Sequence, residues 1–467
     1  MPHFRSAGHI MTIPGAILFL CCLLMYSCSA PPREVSTPVE LPDNFSRSGS
    51  SRQKPRWWQA FGDADLERLV ELALDDNFDL KKAWARLDEA AATARIEGAD
   101  QYPQLDASAE GSRTARERSR RDDENDTELS LGLQAQYEVD LWGRISSERE
   151  AARLAREATR QELHAAAISV SAAVADAWYG LIEQRLRRDI LKQQLGTNRQ
   201  YLQLVTGRFR NGRAPATDVL RQRKLVESTR NDLSKTRRDI RNLRHRLAVV
   251  TGQVPARAEL PQSTELPELP PLPDTGVPSE WIQQRPDVQS AYLEVQSADS
   301  ALAAAIANRY PSFTIKSSIT SAATRPSALL EEWVADIAGS AAVALVDGNR
   351  LDARVDRARA ENERLLYEFG QTVLESVQEV EDALSDEESQ KESVRRIRRE
   401  LALTEQTLQQ LSLRYRRGSV EYTEVLEQLR EMHSYQLELV GARTRLVRKR
   451  VELYRRLGGG WELERSQ

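Results

Sequence analysis

The chain has 467 residues, 40% hydrophobic, 29% charged and 6% aromatic, a length suited to two or three ordinary domains or one long composite. Lys plus Arg number 66 against 70 Asp plus Glu, and so near a balance argues against a nucleic-acid binder, which needs a basic excess. Mean hydropathy is −0.56 and only one stretch reads as apolar enough to enter a bilayer as a helix, which excludes a polytopic helical membrane protein.

That stretch, residues 13–24, follows Arg5 and falls short of the roughly 20 residues a spanning helix needs, so residues 1–27 read as a signal peptide. Cys21, Cys22 and Cys28 are the three cysteines, and none downstream of Cys28 is left for an intrachain disulfide or a thiolate metal site. Leu23-Leu24-Met25-Tyr26-Ser27-Cys28 resembles a bacterial lipobox, with Ser27 as the small residue before the cysteine. Cys28 is the expected lipidation site, at the head of an extended segment over 28–56.

Proline divides the rest of the chain. None occurs between Pro103 and Pro215 or after Pro326, whereas eight of the nineteen fall within positions 255–286. Proline removes a donor and clashes inside a helix, so the free stretches permit very long helices, and 255–278 reads as an extended linker. A helix over 145–205 would run roughly 90 Å at 1.5 Å per residue. Val226, Leu233, Ile240 and Leu247 recur every seven residues, with Leu243 and Val250 beside them. Val394, Ile397, Leu401, Thr404, Leu408, Leu411 and Tyr415 step by three and four, as do Val440, Thr444, Val447, Val451 and Tyr454. Each set is a narrow coiled-coil seam on an otherwise charged helix.

Two segments have period two instead. Leu129, Leu131, Leu133, Ala135, Tyr137, Val139 and Leu141 alternate with polar residues, which makes a strand with one apolar and one polar face. Phe313, Ile315, Ser317 and Ile319 repeat this weakly, and 337–345 carries a second alternation of small apolar residues. Residues 116–128, ten of thirteen charged, read as a solvated loop.

The two halves of the chain match. At an offset of 206, Arg208-Phe209-Arg210-Asn211-Gly212 meets Arg414-Tyr415-Arg416-Arg417-Gly418, and Asp218-Val219-Leu220 meets Glu424-Val425-Leu426. At 208, Asn77-Phe78-Asp79-Leu80 meets Arg285-Pro286-Asp287-Val288, and Tyr102-Pro103 meets Tyr310-Pro311. The repeats are expected over 57–254 and 279–460, with a tail at 461–467.

This order of elements resembles the TolC-like outer-membrane efflux proteins, in particular the NodT-type lipoprotein branch serving resistance-nodulation-division pumps. Trp57-Trp58, Phe61, Asp65-Leu66 and Leu69-Val70 carry the resemblance, together with Arg285-Pro286-Asp287-Val288 and an Arg-aromatic-x-x-Gly motif at each hairpin tip. It implies a mainly α chain with a β-barrel part: long antiparallel coiled-coil helices forming a periplasmic tunnel, and four strands per protomer closing a twelve-strand barrel in a homotrimer. The implied role is a passive outer-membrane exit duct, without cofactor or enzymatic activity. Its implied partners are a periplasmic adaptor (membrane fusion protein), an inner-membrane pump and outer-membrane lipid, with no nucleic acid. The hairpin tips, Arg210, Asn211, Gly212 and Arg213 in one repeat and Arg416, Arg417, Gly418 and Ser419 in the other, would meet the adaptor. Glu427, nine residues past the second tip glycine, would narrow the tunnel where the family commonly has Asp. Thr423 stands where some relatives place a gating Leu.

Two rivals are weaker. A periplasmic adaptor lipoprotein would show one hairpin flanked by small β-domains, and a non-transporting structural coiled coil would give the amphipathic strands no purpose. Trp57 and Trp58 read as packing residues rather than interface anchors. His164, His245 and His433 lie on separate helices without a paired His or Cys at ligand spacing, and only Met432 follows Cys28, so no metal site or soft-metal substrate is indicated.

Overall fold

The computed structural model describes residues 39–51, 56–116, 124–458, 463 and 465, all within one compact unit of residues 38–467. Cys28 and the signal peptide lie outside the described residues, as does the segment 117–123.

A 3-10 turn, Trp57–Phe61, precedes α1 (Ala64–Asp76), α2 (Phe78–Ala99), β1 (Gln104–Arg116), β2 (Glu124–Val139), α3 (Arg144–Arg210) and α4 (Ala216–Val250). The second half gives α5 (Pro278–Ile282), α6 (Pro286–Ala307), β3 (Ser312–Ala323), β4 (Val334–Ala342), α7 (Arg350–Arg416) and α8 (Tyr422–Leu457). Both α3 and α7 have 67 residues, about 100 Å each at 1.5 Å per residue. The repeat therefore holds for its helices and strands, down to the left-handed residue ahead of each long helix, Gly143 (φ 74°) and Asn349 (φ 63°), while the 3-10 turns, Trp57–Phe61 in the first half and Pro326–Ala328 between β3 and β4 in the second, are not shared.

Four expectations are corrected. The first long helix runs several residues beyond 145–205 towards the tip. The charged loop is shorter than 116–128, because backbone pairing continues from Arg113 opposite Thr127 to Arg116 opposite Glu124, beyond the point where hydropathy stops alternating. The last strand is Val334–Ala342, not 337–345, because its pairing with β3 begins at Val334 opposite Thr320. A second stretch, within α3, is also apolar and long enough to cross a membrane, but it is mostly buried among the other helices and serves as core.

The four strands form one antiparallel sheet in the order β1-β2-β3-β4. In the sheet-proximal half α3 packs against α2 and α6, with α7 on the far side of α6; in the other half it packs against α4 and α8, with α7 beside α8. The short helices continue into the long ones as columns. Asn77 caps α2 by accepting from Leu80 N (3.0 Å) and donates to the last carbonyl of α4, Val250 (2.8 Å). Gly252, at φ 72°, allows this junction, since a Cβ there would lie 2.3 Å from the Asp76 carbonyl oxygen. Arg285 does the equivalent work between α8 and α6: it donates to Arg456 O (3.3 Å) and pairs with Asp287 (2.5 Å) and Glu379 (2.7 Å). The Arg-Pro-Asp-Val signature is thus a helix junction.

Where the columns break, an aromatic core fills the waist. Trp57, Trp58, Trp178 and Tyr179 are fully buried, Trp57 stacks on Tyr454 at 5.9 Å, and Trp178 Nε1 donates to Asp63 (2.9 Å). The proline-rich linker is held across the helices by two arginines. Arg185 donates to Pro261 O and Ser263 O (2.7 and 2.8 Å), and Arg450 donates to Pro270 O and to Pro271 O (2.7 Å).

Candidate functional site: a two-faced sheet and paired hairpin tips

Residues directly paired across strands share a face of the sheet. One row joins Ala107, Leu133, Ile319 and Ala335, and the next joins Leu105, Ala135, Ser317 and Ile337. The intervening rows are Asp106, Gln134, Ser318 and Asp336, then Gln104, Gln136, Lys316 and Ala338. The sheet therefore has an apolar and a polar face. On the apolar face Leu133 (48%), Ile319 (48%) and Ile337 (81%) are open. At the helix end of the sheet Trp142 stacks on Tyr310 at 4.9 Å and donates to Pro311 O (2.8 Å), with Tyr102 exposed in the same region of the chain. Such amphipathic rings suit the boundary between lipid and water.

At the opposite end of α3 and α7 lie the two tips. In the first, Gly212 N donates to Phe209 O (2.9 Å) and Arg213 N to Arg208 O (2.8 Å); in the second, Gly418 N donates to Tyr415 O (2.9 Å) and Ser419 N to Arg414 O (2.9 Å). Both are left-handed glycine caps, at φ 68° and 78°. The motif arises from this geometry and from one asymmetry. Arg208 donates to Tyr415 O (2.8 Å) and stacks on its ring (4.4 Å), locking the tips together. Tyr415 is buried by this contact, whereas Phe209 at the matching position of the first repeat is 45% exposed. Arg210, Asn211, Gly212, Arg213, Arg416, Arg417, Gly418 and Ser419 are all exposed at this one end.

Glu427 is exposed on α8 and Thr423, one turn nearer the tip, is half-buried with its hydroxyl donating to Glu421 (3.3 Å). Behind them Leu426 and Leu429 sit in a seam with Val205, Val219, Leu408 and Tyr422. Met432 packs against the same cluster.

A polar network inside the seam is invisible to hydropathy. Tyr422 donates to Gln222 (2.7 Å), Gln222 to Asn198 O (2.8 Å), and Asn198 to Thr229 (2.9 Å). Burial pushes the Tyr422 hydroxyl's pKa up, aided by nearby Tyr415, Tyr201 and Asp218. Asp218 is also buried; desolvation raises its carboxyl, against Arg221 at 3.6 Å. The sequence reading missed this network, and the signal it had was spacing: Gln222, Thr229 and Thr236 occupy the alternate seam positions of α4.

The family described as outer membrane efflux protein matches residues 69–253 and 277–459. The pyoverdine export outer membrane protein OpmQ of Pseudomonas aeruginosa is 27% identical over 468 residues, covering 98% of this chain and 99% of that protein. The cation efflux system protein CusC of Escherichia coli O6:H1 is 26% identical over 462 residues, 95% and 98% of the two chains. The solved outer-membrane channel OprN superposes with a TM-score of 0.82 at 28% identity, over 91% of this chain and 99% of that one.

Proposed function

This chain belongs to the outer membrane efflux protein family and is an outer-membrane exit duct of a tripartite efflux pump; on that premise we propose that three copies close its sheet into one twelve-strand barrel. The observation that carries the closure is a four-stranded sheet with one exposed apolar face and two unpaired edges, β1 and β4. In lipid each unsatisfied backbone group costs several kcal/mol, so an open sheet is not a stable spanning structure. Threefold rotation sets β4 of one protomer beside β1 of the next and pairs both edges, with Leu133 and Ile319 toward lipid and Gln134 and Lys316 toward the lumen. The repeats, 57–254 and 279–460, then act as two quasi-equivalent staves of one tunnel. The duct works passively and without catalysis, on energy from the inner-membrane pump. Relatives named for pyoverdine export and for cation efflux share the architecture, so cargo selection belongs upstream of it.

The exposed arginine-rich tips are the surface offered to the periplasmic adaptor, and Glu427 with Thr423 marks the aperture. One helical hairpin and one strand pair in each of two repeats favour a duct over an adaptor. The lipid anchor is Cys28. Ser46 N donates to Glu381 on α7 (2.8 Å), and Glu381 lies 31 residues beyond the helix start at Arg350, about 47 Å along it. The chain from Cys28 to Ser46 reaches at most about 60 Å, enough to return to the sheet end.

Heat-resistant trimer bands and single-channel conductance in a planar bilayer test the duct; a monomer that conducts nothing overturns it. Mass spectrometry of the mature N-terminus tests the anchor, which fails if the terminal peptide is unmodified and begins elsewhere than Cys28.

A further inference from the structure

The apolar face of the sheet contains a hollow of about 640 Å³, lined by Ala107, Ala109, Leu131, Leu133, Ile319 and Leu330 with Trp333 at its edge. The β3–β4 connection is pinned over it. Ser321, buried on that face, accepts from Leu330 N (3.1 Å) and donates to Glu332 O (2.6 Å). The pinning holds Leu330 at φ 77°, a left-handed conformation that leucine disfavours. Leu330 and Trp333 nevertheless stay 72% and 66% exposed. A strained leucine and a tryptophan held open over apolar surface imply something apolar that covers them.

Above the hollow the face changes character. Ala109 pairs with Leu131, Gly111 with Leu129 and Arg113 with Thr127, so Arg113 stands on the same face two alternate positions beyond the hollow. At about 3.3 Å per residue that is about 13 Å along the strand. On the other side of β2, Leu129 pairs with Ala323, and Arg325 comes just past the end of β3. Both arginines are exposed, and neither makes an ion pair among the described residues.

We propose that the hollow and these two arginines seat one phosphorylated, acylated lipid of the outer leaflet, with an acyl chain on Leu131, Leu133 and Ile319 and a phosphate at Arg113 and Arg325. An apolar trough topped by two guanidinium groups that make no ion pair among the described residues is complementary to an anionic amphiphile; a zwitterionic lipid would bring its own cation to the same place. The inference rests on the apolar face being the lipid face.

The full-length trimer in lipid nanodiscs is the material for the test. Bisphosphorylated lipid A is the probe, with its dephosphorylated form and phosphatidylcholine as comparisons, and native mass spectrometry counts the lipid retained. Wild type should keep about one lipid A per protomer. Arg113→Gln with Arg325→Gln should lower retention about tenfold, as should removing the phosphates, in line with losing charge-assisted hydrogen bonds. Trp333→Phe and Leu330→Gly should weaken retention of both lipid A forms alike. Equal retention by wild type and the double arginine variant, or by the two lipid A forms, overturns the proposal. Quenching by brominated acyl chains, read as the difference between wild type and Trp333→Phe, tests the underlying face assignment separately. If that difference is not quenched, Trp333 is not in lipid and the premise itself fails.

Discussion

His433 sits on α8 inside the lower seam, its carbonyl accepting from Gln194 (3.0 Å) and its ring buried. Burial pushes its imidazole down to about 4, from 6.5 in an exposed chain. The folded state therefore holds the neutral ring while the unfolded state takes up a proton. Stability from this group is complete above pH 6.5, declines as pH falls towards about 4, and levels off below. The span corresponds to about 3 kcal/mol per protomer at most. His433→Gln should flatten the dependence of thermal stability on pH between about 6.5 and 4, measured by calorimetry of the purified trimer. An unchanged slope would show that other groups carry it.

At the scale of elements, the linker shows how charge fixes a segment that has no periodicity. Arg450 pairs with Glu387 at 2.7 Å, the two side chains being 1% and 2% exposed, and its remaining donors go to the linker carbonyls. Arg450→Met would leave Glu387 buried with Lys391 (2.7 Å) as its remaining ion partner, a loss of about 3–5 kcal/mol for a broken buried pair. Adding Glu387→Gln should recover part of that loss, seen as a partial return of the melting temperature. This contact was not legible in the sequence, because Arg450 lies among other arginines and its partner is more than sixty residues away. The seams were legible, because Val226, Leu233 and Leu247 repeat as a helix face must, and all three are buried. The Gln222–Asn198–Tyr422 network was not, since polar residues at seam positions look like solvated ones until three helices meet. The extension of β1 and β2 into charged sequence was hidden for a related reason: backbone pairing follows the sheet, not the hydropathy of its side chains. In β4, Ala335, Gly339 and Ala341 are too small to mark a face, and their pairing with Ile319, Ile315 and Phe313 supplies it.

For the whole molecule, symmetry turns single residues into rings. In the barrel, Leu133→Lys places a charge on the lipid face and should cost roughly 2–4 kcal/mol near the mid-membrane, while Gln134→Lys enters the lumen at far less. Equal loss of heat-stable trimer from both would reverse the face assignment. At the other end, the proposed aperture would gather three copies of Glu427 around the threefold axis. It lies on the Thr423 side of the exposed ridge of α8, and Glu424 lies three residues away, roughly 60° around the helix. The buried stripe of Tyr422, Val425, Leu426 and Leu429 fixes that orientation by packing on α3, α4 and α7. Three carboxylates around such a passage would attract cations and repel anions, and on this reading the apolar seam behind them, rather than their charge, would hold the passage narrow. Two readouts therefore separate the roles: cation preference of single channels, and uptake of a large antibiotic by cells carrying each variant. Glu427→Ala should reduce cation preference several-fold and raise uptake modestly. Leu429→Ala, which leaves a cavity in the seam, should raise uptake more while leaving cation preference largely in place. Glu424→Ala, pointing to the other side of the ridge, should change neither. If Glu424→Ala and Glu427→Ala behave alike, Glu427 does not line the aperture, and the narrowing lies elsewhere along the tunnel.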